Sequence, residues 1–503
     1  MTTEWVLTLC LPEKTIELGS LNLVDRPVNE KKKVSFIASE FSSGGSGNLI
    51  YANGPAEAEE VALALFDCVI ETSQADEIVE LIKLVQKTVH KDYRLGKVLK
   101  KGIAFHYGNM PLLIRQEIEK LFKEGKIKYL ICTSTLLEGV NLPAKSIFIR
   151  KPRRGKSTPL NQNDFWNLAG RAGRWGKEFS GNIVCIEPTK WDIPPNPNKS
   201  KQRISFALSK VSENEKELID YINLGTPRID AETNQNLEFA FGYYYSLFLA
   251  GKLEPTDSLT QALLPLFTEI RKVIRIPDNI IRRNPGISPL AQQQLLDYFY
   301  ERIDTPEELV PVYPEDDDAY NQYASLIGRI GKTLSHYPYQ LNNSRSILII
   351  NWISGKPLSY IIRESYRSYQ SNPKYKNKTI HIVIREVMDN VENFARFRFA
   401  KDSSCYVDVL RFFLKDIGRE DLLENIPQLN LWLEFGVSQK THLSLLSIGL
   451  TRNTVVELSQ YIADTNMNKE EAFAWLKNQD LSKYDLSPIV MEDVELKLNI
   501  AIK

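Results

Sequence analysis

The sequence has few cysteines, and they do not form a recognisable pattern. It has five in 503 residues, which are Cys10, Cys68, Cys132, Cys185 and Cys405. They are odd in number, far apart and mostly inside apolar runs, which is unlike a disulfide framework or a paired-cysteine metal site. We therefore expect a reducing, cytoplasmic environment and no metal site of this kind.

Long apolar runs and net charge are also missing. The N-terminal run "WVLTLCL" is short and has no basic leader before it. Nowhere do roughly 18 apolar residues follow one another, so we predict neither export nor a membrane span. Lys and Arg together number 63, as do Asp and Glu. Total charge therefore argues neither for nor against a polyanionic partner, and any binding surface must come from local clusters.

Between residues 48 and 187, short β-branched runs alternate with amphipathic ones. The runs "NLIYA", "GIAF", "YLICT", "SIFIR" and "NIVCI" are typical of strands. Helical spacing of apolar residues is clear in "DEIVELIKLVQKTV" and in "LIRQEIEKLFKEG", where Gly125 is a candidate C-terminal cap. Strands that alternate with helices predict an α/β fold with a parallel sheet.

Two proline-rich segments suggest domain boundaries. "EPTKWDIPPNPNKSK", at 187–201, has no periodicity and ends the α/β unit. Helical patterns dominate beyond it, with a second break at "VPVYPEDDDAY", 310–320. We therefore expect helical units at 202–309 and 321–503.

The predicted strand "YLICT" runs into the hydroxyl-rich turn of Thr133, Ser134 and Thr135. Parallel sheets bind ligands at the carboxyl ends of their strands, where hydroxyls and free backbone amides suit phosphate oxygens. The alternative is that these side chains only cap the next helix.

Two basic segments follow. "RKPRRGK", 150–156, contains Arg153 and Arg154 and suits a nucleic-acid backbone, although a solvated loop explains it equally well. "GRAGR" places Arg171 and Arg174 in a glycine turn, where Gly170 lets the backbone approach a phosphate closely.

Four segments between residues 49 and 174 resemble helicase motifs in their order and wording. "LIYANGPAEAEEVA" resembles motif IV, "GIAFHYGNM" the segment "GVAFHHAGL", "TSTLLEGVNLPA" motif V, and "NLAGRAGR" motif VI, usually QxxGRxGR. The chain is thus similar to the second RecA-like domain of superfamily 2 DEAD/DEAH-box helicases, particularly the superkiller-like, Hel308-like branch. Asn167 replaces the usual glutamine of motif VI.

The resemblance implies roles for individual residues. Arg174 would be an arginine finger on ATP, Arg171 its companion on the phosphates, and Gly139 a neighbour of the nucleotide. Single-stranded DNA or RNA would lie along Asn53, His106, Gly108, Thr133, Ser134 and Thr135. Without the resemblance, a lone histidine after an apolar strand is more typical of a structural residue.

The resemblance also implies a partner domain, because in that family ATP lies between two RecA-like domains. The first domain carries the phosphate loop and the carboxylates that hold Mg²⁺. "GRIGKT", 328–333, lacks the spacing of a phosphate loop, and "PEDDDAY" follows a proline, so we read them as a helical turn and a solvated loop. Residues 1–40 fit a connecting segment, with the RecA-like domain at 41–190. The phosphate-loop domain is then expected in trans or upstream.

The helical half carries weaker signals. In the branch that the chain resembles, a winged helix and a helical domain that grips the exiting strand follow the second RecA-like domain. By position and helical content, 202–309 and 321–503 are compatible with these two domains. "LSLLSIGLTRNTVVELSQYI", 443–462, resembles a helix-hairpin-helix element, with Thr451 in place of a second glycine. The aromatic run "GYYYSLFLAG", 242–251, is either a core segment, which we favour, or a stacking platform.

Two functions fit these observations. The first is the C-terminal half of an ATP-dependent helicase, which needs a phosphate-loop domain for hydrolysis. The second is a nucleic-acid-binding or adaptor protein of helicase shape without hydrolysis. Both predict strand binding that weakens with salt.

Overall fold

A computed structural model describes residues 3–10, 15–23, 30–42, 45, 47–73, 75–134, 142, 144–155, 157–173, 181–196, 208, 211 and 214–501. Its strands are β1 Thr3–Cys10, β2 Thr15–Leu23, β3 Asn48–Tyr51, β4 Ile103–His106, β5 Tyr129–Cys132, β6 Ser146–Arg150, β7 Arg153–Arg154, β8 Thr158–Pro159 and β9 Asn182–Ile186.

Five parallel strands form the central sheet, in the order β4-β5-β3-β6-β9. Every residue of β3, β4 and β5 is buried, because helices cover both faces of a parallel sheet. The predicted parallel α/β sheet and all its predicted strands are confirmed.

Six described helices accompany the sheet: α1 Glu30–Ser42, α2 Pro55–Cys68, α3 Asp76–Thr88, α4 Arg94–Val98, α5 Leu112–Lys123 and α6 Gln162–Ala169. The apolar faces of α3 and α5 are buried, as their spacing predicts. Gly125 adopts φ +78° just after α5, the left-handed conformation that ends many helices.

The predicted boundary between residues 40 and 41 is wrong. Residues 3–23 form the antiparallel hairpin β1–β2, but α1 belongs to the sheet domain. Val34, Ile37 and Ala38 are buried, and the rings of Phe41 and Phe148 meet edge to face with centroids 5.9 Å apart. The apolar face of α1 is thus part of the same core as β6.

The rest of the described chain is helical: α7 Glu215–Asn223, α8 Arg228–Thr233, α9 Gln235–Leu249, α10 Ser258–Val273, α11 Asp278–Arg283, α12 Pro289–Tyr300, α13 Ala319–Thr333, α14 Asn342–Ile353, α15 Leu358–Ser371, α16 Ile380–Asp389, α17 Ala400–Asp416, α18 Leu429–Phe435, α19 Lys440–Ser447, α20 Arg452–Leu458, α21 Lys469–Asn478 and α22 Pro488–Ala501. A π-helix, Asn390–Phe399, joins α16 to α17 without a break.

The described part of 202–309 contains no strand, so the structure gives no wing there. No helix in the described residues is long and apolar enough to cross a membrane.

The predicted break at 310–320 does not separate two units. The ring of Phe299 in α12 packs against Tyr406 and Phe413 of α17, with centroids 5.1 and 5.6 Å apart. The Tyr406 hydroxyl donates to the Leu309 carbonyl oxygen at 2.8 Å. The segments on either side of the break therefore share one core.

The segments "GRIGKT" and "PEDDDAY", which superficially resemble parts of a nucleotide site, have structural explanations. "GRIGKT" lies inside α13, where a side chain on Gly331 would meet the Cβ of Tyr337 at 2.8 Å. Its glycines therefore permit close packing. The carboxylates of 315–318 lie in an exposed loop, as expected.

Candidate functional site

A cavity of 680 Å³ lies at the carboxyl edge of the sheet. Residues that follow β3, β4, β5 and β6 line it, together with the first turn of α2 and Asp389 at the end of α16. The amino end of a helix carries a partial positive charge, so α2 adds positive potential here.

The cavity brings together residues from separate sequence motifs. Asn53, Gly108, Thr133, Ser134 and Arg153, which were predicted to contact nucleic acid, all line it. They supply an amide, a glycine backbone, two hydroxyls and a guanidinium, which are groups that contact phosphate and sugar. Thr135 lies outside the described residues, as does the segment that its hydroxyl neighbours were alternatively expected to cap.

Asn53 fastens the basic loop to the end of β3. Its side-chain oxygen accepts from the Arg153 amide at 2.7 Å, and its Nδ2 donates to the Lys151 carbonyl oxygen at 3.4 Å. The buried Tyr51 donates from its hydroxyl to the Arg153 carbonyl oxygen at 2.8 Å. These bonds fix the loop that follows β6, so it is held in place and is not a freely solvated loop.

The two arginines of this loop differ in position. They form β7, which pairs with β8. Arg153 lines the cavity and forms an ion pair with Asp192 at 2.8 Å, whereas Arg154 pairs with Asp164 at 3.4 Å and does not line the cavity. The structure therefore groups Arg153 with the other predicted residues and leaves Arg154 outside.

The His106 side chain does not lie at this surface. It is 1% exposed, and its Nε2 lies 3.0 Å from Oε1 of Glu119 on α5. Since β4 is buried on both faces, its last side chain points into the core. The structure therefore does not bring the His106 side chain together with the other residues predicted to lie along nucleic acid.

The predicted nucleotide-binding turn lies apart from the cavity lining. The exposed Gly170 ends α6, and Ala172 then forms a parallel bridge with Ala144 before β6. Gly173 adopts φ +69°, and a side chain on Gly181 would lie 2.2 Å from its amide nitrogen. This turn therefore requires glycine at close backbone contacts. Gly139 and Arg174 lie outside the described residues.

Arg171 is half-buried within this turn. Burial raises the pKa of the Cys132 thiol at the end of β5, and the positive charge of Arg171 partly opposes that rise. The guanidinium therefore exerts its field on the segment where the strand β5 enters the hydroxyl-rich turn.

The end of a helix from the C-terminal half reaches the cavity. Asn109 donates to Asp389 at 2.9 Å, although 280 residues separate them in sequence. One helical turn earlier, Arg385 pairs with Glu59 of α2 at 2.5 Å, and Arg94 approaches the same carboxylate at 3.3 Å. Burial raises the pKa of Glu59, and the two arginines oppose this. Sequence reasoning missed these contacts because no local pattern connects the segments.

The expected helix-hairpin-helix turn has an internal partner for one of its amides. The Thr451 amide donates to the buried Asp493 carboxylate of α22 at 3.1 Å, and the Thr454 hydroxyl donates to it at 2.6 Å. Because this amide is already bonded, the turn resembles a packed helical hairpin more than a phosphate-binding element.

The aromatic run at 242–251 is divided between core and surface. Phe241, just before it, and Tyr245 are fully buried, as the core interpretation predicts. Tyr243 is 46% exposed, and so is not part of that core.

The fold and the arrangement of its motifs define a RecA-like α/β domain followed by a helical region. Residues 63–176 match the family described as "Helicase conserved C-terminal domain". This segment is therefore a helicase C-terminal domain, and the chain carries the C-terminal-type region of superfamily 2 helicases.

Several curated proteins are similar to the chain. It is 24% identical over 407 residues to "Anti-bacteriophage protein B" of Escherichia coli, covering 76% of this chain and 50% of that protein. It is 29% identical over 196 residues to "Hachiman protein HamB" of Bacillus cereus, covering 38% of this chain and 16% of that protein. It is 33% identical over 125 residues to "Antiviral helicase SKI2" of Saccharomyces cerevisiae, covering 23% of this chain and 10% of that protein. The chain thus spans half the length of the first relative and smaller shares of the others.

Proposed function

We propose that this chain supplies the C-terminal half of an ATP-dependent helicase that moves along single-stranded DNA or RNA. The observation that carries the proposal is the sheet-edge cavity, where Asn53, Gly108, Thr133, Ser134 and Arg153 converge from separate motifs. Their chemistry suits a sugar-phosphate backbone, which needs many modest polar contacts and no base recognition.

The nucleotide would be ATP, held between this domain and a phosphate-loop domain that brings Mg²⁺. Such a domain would lie on a preceding part of the same polypeptide or on a second one. On this chain, Gly170 and Gly139 would let the backbone approach the nucleotide, and Arg171 and Arg174 would face its phosphates. The exposed glycine turn with Arg171 beside it fits an anionic group. ATP supplies the energy of phosphoryl transfer, and Arg174 would neutralise charge that develops on the transferred group.

The names of two relatives suggest a setting for this activity. Similarity to an anti-bacteriophage protein over 76% of the chain, and to an antiviral helicase over 23%, supports a role in defence against foreign nucleic acid. We propose phage defence as that role. Plaque counts on cells with and without the gene would test it, and equal counts for a broad phage panel would contradict it.

ATPase measurements test the proposed enzyme. The chain would be assayed with and without single-stranded DNA or RNA, alone and mixed with a candidate phosphate-loop protein. We expect strand-stimulated turnover in the mixture, and a loss of about 10³–10⁵ in rate for Arg174→Ala. Salt-sensitive strand binding without turnover in any mixture would instead identify a non-enzymatic binder. Unchanged turnover of the variant would refute the arginine's role.

A further inference from the structure

A second cavity, of 510 Å³, lies in the helical region beside α9 and the loop after α11. Phe239 and Tyr243 line it and are 51% and 46% exposed. They are four residues apart on α9, so their rings share one face of the helix. Two neighbouring exposed rings on one cavity form a contiguous apolar patch, the kind of surface on which proteins bind ligands.

Backbone contacts build one wall of this cavity. A side chain on Gly242 would lie 2.1 Å from the Pro285 carbonyl oxygen. The backbones of α9 and the loop are therefore so close at this point that only glycine fits. A side chain on Gly286 would lie 3.2 Å from the Phe239 ring. Asn284, in the same loop, is buried and donates to the Ile280 carbonyl oxygen at 3.0 Å. The loop and the ring therefore hold each other in place.

Polar groups accompany the rings. Asn236 and Arg282 line the cavity with them. Arg282 is exposed, and no ion-pair partner occurs for it within the part of the chain that the structure describes. These groups match the parts of a nucleotide. The two rings offer π-faces, Asn236 an amide that both donates and accepts, and Arg282 an available guanidinium. The base would stack, and its phosphate would meet the cation.

A long helix connects this cavity to the sheet edge. Asp389 lines the sheet-edge cavity, and the helix then runs through the π-helix 390–399 into α17. The exposed Lys401, in its next turn, donates to the Gly286 carbonyl oxygen at 3.4 Å, on the loop that packs against Phe239. The α-helical rise gives at most about 18 Å from Asp389 to Lys401. A single strand that leaves the first cavity can therefore reach the second.

We propose that Phe239, Tyr243 and Arg282 form a second subsite that stacks an unpaired nucleobase of the single strand held at the sheet edge. The proposal rests on the proposed function, since it needs a strand at the first cavity. It assigns the exposed part of the aromatic run to binding and leaves Phe241 and Tyr245 in the core. The alternative occupant, a peptide segment of another protein, would have to carry an acidic group to use Arg282 as well as the two rings.

Strand-binding measurements with oligonucleotides of two lengths test the proposal. The full chain would be titrated with oligothymidylates and oligouridylates about 5 and about 20 nucleotides long, spanning the usual site sizes for single strands. For Phe239→Ala and Tyr243→Ala we expect on the order of tenfold weaker binding of the long strands and unchanged binding of the short ones. Tyr243→Phe keeps the ring and should bind as the wild type does. Tyr339→Ala, which removes a ring that is 82% exposed elsewhere, is the matched control.

A spectroscopic readout separates stacking from a merely structural effect. A 2-aminopurine base placed at successive positions of the long strand should be quenched at one position in the wild type, and this quenching should disappear in Tyr243→Ala. If Phe239→Ala and Tyr243→Ala bind both lengths as tightly as the wild type does, and Tyr243→Ala leaves the quenching unchanged, the subsite is overturned. If the wild type binds neither length, the proposed function itself fails. Asn53→Ala could weaken the binding of both lengths while Phe239→Ala and Tyr243→Ala bind as the wild type does. That outcome would support the proposed function and overturn only the second subsite.

Discussion

At the scale of single residues, Asn53 anchors the basic loop that lines the sheet-edge cavity. Its side chain bonds the backbone on both sides of Pro152, at Lys151 and at Arg153. We expect Asn53→Ala to weaken single-strand binding about fivefold to tenfold, because one hydrogen bond contributes about 1 kcal/mol and the loop loses its anchor. Fluorescence anisotropy with a labelled oligonucleotide measures this. Asn478→Ala, an exposed position at the end of α21, should bind normally, and an equal loss there would disprove the assignment.

Arg153 and Arg154 offer a matched comparison of neighbouring cations. Each phosphate neutralised on a single strand contributes about −0.7 to the slope of log K against log salt. We expect Arg153→Ala to reduce the steepness by about that amount, since Arg153 lines the cavity, and Arg154→Ala to change it little. Titrations at a series of salt concentrations decide this. A larger change for Arg154 would mean that the strand follows the other side of the loop.

Local patterns predicted residues on loops better than residues in strands. Asn53, Thr133 and Ser134 follow buried strands, and the carboxyl ends of parallel strands must meet at one edge. His106 is the last residue of a strand whose faces are both covered, so its side chain has no route to that edge. Asp389 could not be found, because only tertiary packing brings it there.

At the scale of elements, α2 and α16 are joined through Glu59. This carboxylate is 1% exposed and contacts Arg385 and Arg94, while the Tyr107 hydroxyl donates to it at 3.2 Å. Removing one partner of a fully buried ion pair costs about 3–5 kcal/mol. Arg385 and Arg94 are 20% and 24% exposed, so water stabilises part of the charge left behind and the loss falls at the lower end. We expect Glu59→Ala to lower the free energy of unfolding by an amount in this range, measured by urea denaturation.

An exposed ion pair between the same two parts of the molecule is the control for Glu59. Lys120 of α5 pairs with Glu492 of α22 at 2.6 Å, but both side chains are near 40% exposed, at 38% and 43%. Exposed pairs contribute about 0–1 kcal/mol. Glu492→Ala should therefore barely change the unfolding curve, because Lys120 keeps the buried Glu117 carboxylate 3.6 Å away as a partner. Equal losses for the two variants would show that Glu59 does not join the elements as described.

Periodicity predicted the elements more reliably than their grouping. The sheet strands and the helices α3 and α5 follow directly from alternating and helical spacing. The start of the sheet domain was missed because α1 has a weakly amphipathic sequence and is placed by packing against β6. Prolines at 311 and 314 suggested a linker, yet both are buried, so the segment between α12 and α13 packs inside a shared core.

At the scale of the whole molecule, the shared core of α12 and α17 joins the segments on either side of residues 310–320, and we expect them to unfold together. Phe299 is fully buried between these helices, and replacing such a ring with alanine costs about 3–5 kcal/mol. We expect Phe299→Ala to accelerate amide hydrogen exchange in α17 as strongly as in α12, although more than a hundred residues separate them in sequence. Tyr339→Ala, at an exposed ring, should leave exchange unchanged in both helices. If exchange rose in α12 while α17 stayed protected, the segments on either side of residues 310–320 would unfold separately, and the boundary expected from the prolines would be real.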